Sequence, residues 1–463
     1  MRLFCVTVAA LPLIPSCAWA AGAAPLALPV WSVIPFVLLL LCIAVFPLVN
    51  EHFWHNDRNK AIIIAVLAAP VVLYLGYLQL TTGAPTLQPL AHELGKYASF
   101  IIMLGSLYTV AGGIVVRGDF KATPRTNATL LGLGALLANV IGTTGASVLL
   151  IRPLLRINAA RTHKVHLPVF FIFLVGNLGG CLTPLGDPPL FMGYLNGVPF
   201  PWTFQLWPHF LVVNGLVLAV FVVWDARALR REATAAVATG ESGAAAPQPF
   251  RLDGMINLLF LTGIMLAVVV EADWLPAGLD KLWGPCGSEA LMLAMALLSL
   301  WLTPGSLRED NGFTWAPITE VAILFAGIFV TMVPALDLLE VHGRELGLTA
   351  PWQFFWVTGI LSAGLDNAPT YLAFATMAAG SNDFSLLVDN RAPGLNGPVV
   401  LQAISCGAVF MGALTYIGNG PNFMIKAITE KAGYKPPSFF GYTAYAFAIL
   451  APVNLLVTVL FFL

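Results

Sequence analysis

GCLTPLGDPPLFM, from Gly180 to Met192, is written again 232 positions later as GALTYIGNGPNFM, from Gly412 to Met424. Seven of the thirteen positions match without a gap: Gly180/Gly412, Leu182/Leu414, Thr183/Thr415, Gly186/Gly418, Pro189/Pro421, Phe191/Phe423 and Met192/Met424. Unrelated apolar segments of such composition share roughly one or two. Both copies interrupt a long hydrophobic segment with residues that stop helices. Paired Gly/Pro interruptions at corresponding places in two hydrophobic halves point to the binding site of a secondary transporter.

Composition agrees. The chain is 58% hydrophobic and only 10% charged, where soluble domains carry about 25% charged residues. Apolar runs of about 20 residues, the length that spans a bilayer, are separated by short charged stretches. Backbone polar groups in lipid must be paired within helices or a closed barrel, and the alternating pattern of a barrel is absent. The expected fold is therefore an all-α integral membrane protein: an inverted-repeat transporter with two re-entrant hairpins and two broken helices. The net charge of −1 gives no reason to expect a nucleic-acid partner. No nucleophile–base arrangement, P-loop or zinc-type Cys spacing occurs, so neither an enzyme nor ATP-driven transport is expected, and no cofactor.

Residues 1–20 read as a cleaved signal peptide, with Arg2, the apolar run Leu3–Ile14, and small residues Ala18 and Ala20. Residues 21–225 form a first transmembrane repeat, 226–253 a flexible cytoplasmic linker, and 254–463 a second repeat. Full spans are expected at 31–49, 61–80, 98–116, 207–225, 255–272, 289–303, 317–334 and 440–463. Hairpins fall at 128–155 and 351–380, and broken spans at 166–192 and 398–428. Ten crossings with an outside N-terminus put 17 basic residues in the cytoplasm and four (Lys96, Lys281, Arg344, Arg391) outside, with Arg2 in the leader. Each half has five crossings. Five is odd, so the halves have opposite topology.

Four polar interruptions carry the chemistry: the tip Ile141–Ser147, the break Leu182–Pro189, the tip Gly364–Thr370 and the break Leu414–Pro421. Helix ends exposed there favour anions at amides and cations at carbonyls. Asp187 sits in the first break and Asp366 in the second tip. A mid-membrane Asp costs about 2.5–3.5 kcal/mol on insertion scales, so each is a functional candidate. A carboxylate beside freed carbonyls and Thr or Asn oxygens makes a hard oxygen cage for Na⁺ or H⁺. The candidate ion- or substrate-binding set is Thr143, Thr144, Gly145, Thr183, Gly186, Asp187, Asp366, Asn367, Thr415, Gly418 and Asn419, with Asp366, Asn367 and Asp187 as cation ligands. Asp366 is expected as the primary cation ligand and Asp187 as the proton-exchanging partner. The plainer reading of these residues is as helix caps. Arg152, in LLIRPLL, either clamps an anion or snorkels to the interface.

These motifs resemble the ion transporter superfamily, and within it the citrate transporter and NhaD-type sodium:proton antiporter group, over nearly the whole mature chain. In the dicarboxylate branch both tips read Ser-Asn-Thr and both breaks resemble Gly-Thr-Pro-Pro-Asn. Here the tips are Thr143-Thr144-Gly145 and Asp366-Asn367-Ala368, and the breaks are Gly186-Asp187-Pro188-Pro189 and Gly418-Asn419-Gly420-Pro421-Asn422. The Asp-Asn tip adds negative charge and discourages a polyanion. The resemblance implies a scaffold capable of pairing as a homodimer and a transport domain that moves against it. The expectation is a multi-pass inner-membrane carrier, contacting lipid, that exchanges Na⁺ for protons. A citrate or dicarboxylate symporter is the alternative, and a membrane-embedded enzyme or non-transporting membrane protein a remote one.

Overall fold

The computed structural model describes residues 26, 28–54, 56–118, 120–239, 251–271 and 286–463; the expected signal peptide lies outside them. In the first repeat, α1 (Ile34–Val49), α2 (Asp57–Thr82) and α3 (Leu87–Ala111) precede a short strand β1 (Val115–Arg117). Next come α4 (Pro124–Ile157), α5 (His166–Leu174), α6 (Pro188–Leu195) and α7 (Trp207–Thr239). The second repeat follows strand β2 (Arg251–Asp253) with α8 (Ile256–Glu271), α9 (Gly287–Leu302), α10 (Ala316–Thr331) and α11 (Val333–His342). It closes with α12 (Pro351–Gly364), α13 (Asn367–Ala379), α14 (Gly397–Met411), α15 (Gly420–Lys431) and α16 (Phe439–Val457). The chain is an all-α integral membrane protein.

Among the described residues, seven helices are long and apolar enough to cross a bilayer, or eight if the bent pair around Thr331 counts as one span. One of the seven is the hairpin α4. The expected crossings near 166–192, 255–272 and 289–303 are shorter apolar helices: the first is divided by its break, and the other two are continuous helices of 16 residues each.

Local chemistry sets the ends. Asn56 accepts the Arg58 amide to start α2, and Gly83 at φ 69° ends it. Proline occupies the first turn of α4, α6, α12, α14 and α15, where its missing N–H goes unneeded. Within α4, Gly142 (φ 74°, ψ 157°) reverses the chain, a conformation that penalises any residue with a Cβ. The arms then run back along each other: Asn127 and Asn158 exchange amide hydrogen bonds of 3.0 and 2.8 Å across the base.

Two expectations are corrected. The third span begins at Leu87, not 98, and ends at Ala111. Hydropathy stops at Glu93 and Lys96, but these pair within the helix at 2.8 Å and are buried, so the helix carries its charges inside protein rather than ending at them. The 226–253 linker begins as helix, since α7 continues through Arg227, Arg230 and Arg231 to Thr239; Ala, Arg, Leu and Glu are strong helix formers.

The helices sort into two bundles. Helices α1, α2, α3, α8, α9 and α10 pack on one another, as do α4 to α7 with α12 to α16. Helix α3 is the principal seam, touching α4 and α6 across the divide, while α11 reaches α13. The apolar stretch of α3 is 89% buried, against 17% for α2, which leaves α2 at the lipid.

Residues expected on one membrane side meet each other. β1 pairs antiparallel with β2, and Arg117 bridges Asp253 and Asp310; the Arg117 guanidinium holds the Asp253 carboxyl below its usual range. Arg161 pairs with Glu232, and Lys164 lies 4.4 Å over the Tyr434 ring. At the other end, the Asn196 carbonyl accepts from Phe384 N at 2.7 Å and Glu340 from Asn382 N at 2.8 Å. Single cysteines test this sidedness. A cysteine replacing Phe204 should react with an impermeant maleimide only from outside, and one replacing Arg227 only from the cytoplasm. Labelling of both from one face would refute the arrangement.

Candidate functional site

The two repeated sentences form matching loops. Each opens with a glycine and closes, six residues on, with another, and the pair is in backbone contact. A Cβ on Gly186 would overlap the Gly180 oxygen, and one on Gly418 would lie 2.5 Å from the Gly412 oxygen. No other residue fits so close an approach. The matched threonines then fasten each loop to a hairpin. Thr183 donates to the Asn139 carbonyl and Thr415 to the Ala363 carbonyl, each at 2.5 Å.

Those anchors correct the pairing of the tips. Asn139 lies three residues before Gly142, and Ala363 three before Asp366. Gly142 therefore corresponds to Asp366, and Thr143 to Asn367, one residue away from the correspondence expected from the sequence. The corrected pair meets at one point. Thr143 Oγ1 donates to Asp187 Oδ1 at 2.9 Å, while its amide donates to the Gly186 carbonyl at 2.8 Å. Asn367 Nδ2 donates to Asp187 Oδ2 at 2.6 Å. Asn419, the repeat counterpart of Asp187, donates to Oδ1 at 2.9 Å. Both tips and both breaks thus converge on one carboxylate that is 1% exposed.

Asp187 stands at the N-cap of α6 but caps nothing with its side chain. Asp366 does cap, accepting the Ala368 amide at 3.2 Å, and is half-buried. Among the described residues, no ion pair joins either carboxylate to a basic side chain. A carboxylate has about four acceptor positions; three are occupied on Asp187, two of them on Oδ1. Beside it, Asn367 Oδ1 is buried with no hydrogen-bond partner among the described residues. Two oxygens of one small region are therefore available to a cation or a proton.

Three expected residues stand apart. Thr144 is half-buried and Gly145 packs toward the Ala111 methyl. One and two positions past Thr143, helical geometry turns them roughly 100° and 200° away from Asp187. Arg152 is ten residues past the turn, about 15 Å along the helix. Its Nη2 reaches the Gly312 carbonyl at 3.4 Å, so the structure does not bring it to the Asp187 cluster.

Sequence reasoning missed a supporting layer of asparagines. Asn177 donates to Asn422 Oδ1 at 2.7 Å and accepts from Asn419 at 3.1 Å. Asn422 donates to the Gly412 and Thr415 carbonyls, and Asn139 to the Gly179 carbonyl at 2.6 Å. All three are buried. Their signal was an uncharged amide inside an apolar run, which costs less than a charge and so attracts less notice.

The glycine contacts give a direct test. Gly186→Ala and Gly418→Ala should each lower the thermal stability of detergent-solubilised protein by about 1–3 kcal/mol, the usual cost of overpacking. Gly364→Ala, where nothing lies within 4 Å of the new Cβ, should leave it unchanged; the readout is fluorescence-detected size exclusion after heating.

Comparison with known proteins shows the family. A family model described as "Putative citrate transport" matches residues 25–462. An uncharacterized transporter of Mycobacterium bovis and one of Mycobacterium tuberculosis are each 25% identical over 423 residues, covering 84% of this chain and 90% of theirs. The paired breaks, the converging tips and this match together make the chain a multi-pass membrane protein belonging to the citrate-transport family of transporters.

Proposed function

We propose that the protein is an inner-membrane secondary carrier that exchanges Na⁺ for protons at Asp187 by alternating access. The observation that carries this reading is how the site's donors are used. Thr143, Asn367 and Asn419, the groups able to hold a substrate carboxylate, are all engaged by the protein's own carboxylate. Asp187 supplies internally the anion that a dicarboxylate carrier takes from its substrate.

Charge accounts for the exchange. An uncompensated buried carboxylate costs several kcal/mol. A proton or a Na⁺ on Asp187 neutralises that charge, so the loaded site crosses in either form and the empty anion does not. Asn367 Oδ1 and the half-buried Asp366 lie next along the second tip and complete the oxygen ligands. Asp187 is thus the shared carboxylate, and Asp366 the auxiliary ligand. The two bundles meeting along α3 provide the surface on which one moves against the other. Citrate or dicarboxylate symport remains the second reading, favoured by the description of the family.

Everted vesicles with a pH-sensitive dye separate the two. Antiport predicts Na⁺-induced dequenching with no carboxylate present, whereas symport requires citrate. Asp187→Asn, which keeps shape and removes charge, should abolish the Na⁺ response with folded protein still in the membrane. Asp366→Asn should raise the Na⁺ concentration for half-maximal response about tenfold, equivalent to roughly 1.4 kcal/mol. Wild-type responses from both variants would reject the cation reading.

A further inference from the structure

We infer that Lys96 is a positioning residue that bolts the outer end of the site-bearing half-helix α6 to the seam helix α3, and so sets the resting position of the moving bundle. This rests on the reading above that one bundle moves against the other, but not on which ion is carried.

Lys96 is buried on α3, and its Nζ lies 2.8 Å from Glu93 Oε1 and 2.6 Å from Asn196 Oδ1. The first contact stays within α3. The second crosses to the other bundle. Asn196 is the residue that ends α6: its Nδ2 closes the last turn on the Met192 carbonyl at 2.7 Å. Its own carbonyl accepts from Phe384 N at 2.7 Å, in the connection that follows the second hairpin. One side chain of the scaffold therefore grips the point where segments of both repeats are joined.

Leverage follows from length. Helix α6 has eight residues, about 12 Å, with Asp187 at its start and Asn196 at its end. A rod so short moves as one piece, so a displacement at Asn196 is a displacement at the site. Two further contacts between α6 and the scaffold are neutral: Phe191 against Phe100 at 6.2 Å, and the Tyr194 hydroxyl on the Val268 carbonyl at 3.1 Å. Lys96 supplies the charged bond.

The pair is poorly suited to stability alone. Glu93 Oε2 is buried with no hydrogen-bond partner among the described residues, and a buried ion pair with an unmet oxygen recovers little of its desolvation cost. Such a bond costs little to break if sliding rehydrates it, as a catch between two positions must.

The test reads position rather than flux. A reporter cysteine replaces Gly420, which is exposed with open space at its Cβ, in full-length protein whose Cys5, Cys17, Cys42 and Cys286 are replaced. Cys181 and Cys406 stay, being fully buried. Impermeant maleimide is applied to right-side-out and inside-out vesicles, and the ratio of the two labelling rates is measured. Glu93→Gln with Lys96→Met removes the bond without orphaning a charge, and should shift the ratio at least fivefold. Asn196→Asp, which turns the contact into an ion pair at the cost of the bond to the Met192 carbonyl, should shift it in the opposite direction. Size exclusion confirms that each variant is folded. An unchanged ratio in both, or a shift in the same direction, overturns the proposal. Opposite shifts in a protein without Na⁺-driven proton movement would uphold the bolt and reject the cation reading.

Discussion

One carboxylate holds the centre of this molecule together. Asp187 accepts hydrogen bonds from Thr143 of the first hairpin, Asn367 of the second and Asn419 of the opposite break. Each donor sits on an element that the sequence interrupts, and none of those interruptions would be tolerated facing lipid. Unwound backbone at membrane depth needs partners. Here the partners are one another: the Gly186 carbonyl takes the Thr143 amide, and the Gly412 and Thr415 carbonyls take the Asn422 amide. The polar centre is thus sustained by mutual saturation, and what stays unsaturated, one side of Asp187 and Asn367 Oδ1, is where an ion has something to gain.

The architecture around this centre was legible because hydrophobic length and Gly/Pro punctuation are local signals. The hairpins, the broken helices and the order of elements in each repeat could be read from one pass along the chain. So could the singularity of Asp187, since a lone acid in an apolar break is costly and marks itself as a candidate. Boundaries failed where charges are neutralised in three dimensions: Glu93 and Lys96 look like a loop to any hydropathy reading, and only their burial against Asn196 makes them helix interior. The correspondence of the two tips failed for a similar reason. Gly142 and Asp366 share no chemistry, and their equivalence emerges only from the two threonines that grip the chain three residues earlier.

The different hydrogen bonding of the two acids was also beyond a linear reading. Both lie at interruptions, and sequence favoured Asp366 because an asparagine follows it. In three dimensions Asp366 turns to its own helix and accepts the Ala368 amide, the ordinary business of an N-cap. Asp187 occupies an equally ordinary cap position and leaves that task undone. A residue that declines its local role is free for a distant one. Arg152 gives the converse case: attractive by charge, it is occupied by the Gly312 carbonyl.

The contact between Asp187 and Asn419 has a meaning for how such a molecule can come to exist. These two residues occupy the same position of the repeated motif, and their side chains meet at 2.9 Å. Two separate identical chains meeting there would set like against like: aspartate opposite aspartate would repel, and asparagine opposite asparagine would carry no charge. Joining the halves in one polypeptide releases that restriction. One copy keeps the acid, the other carries the amide that donates to it, and a single charge rests at a meeting point where identical copies would have placed two or none.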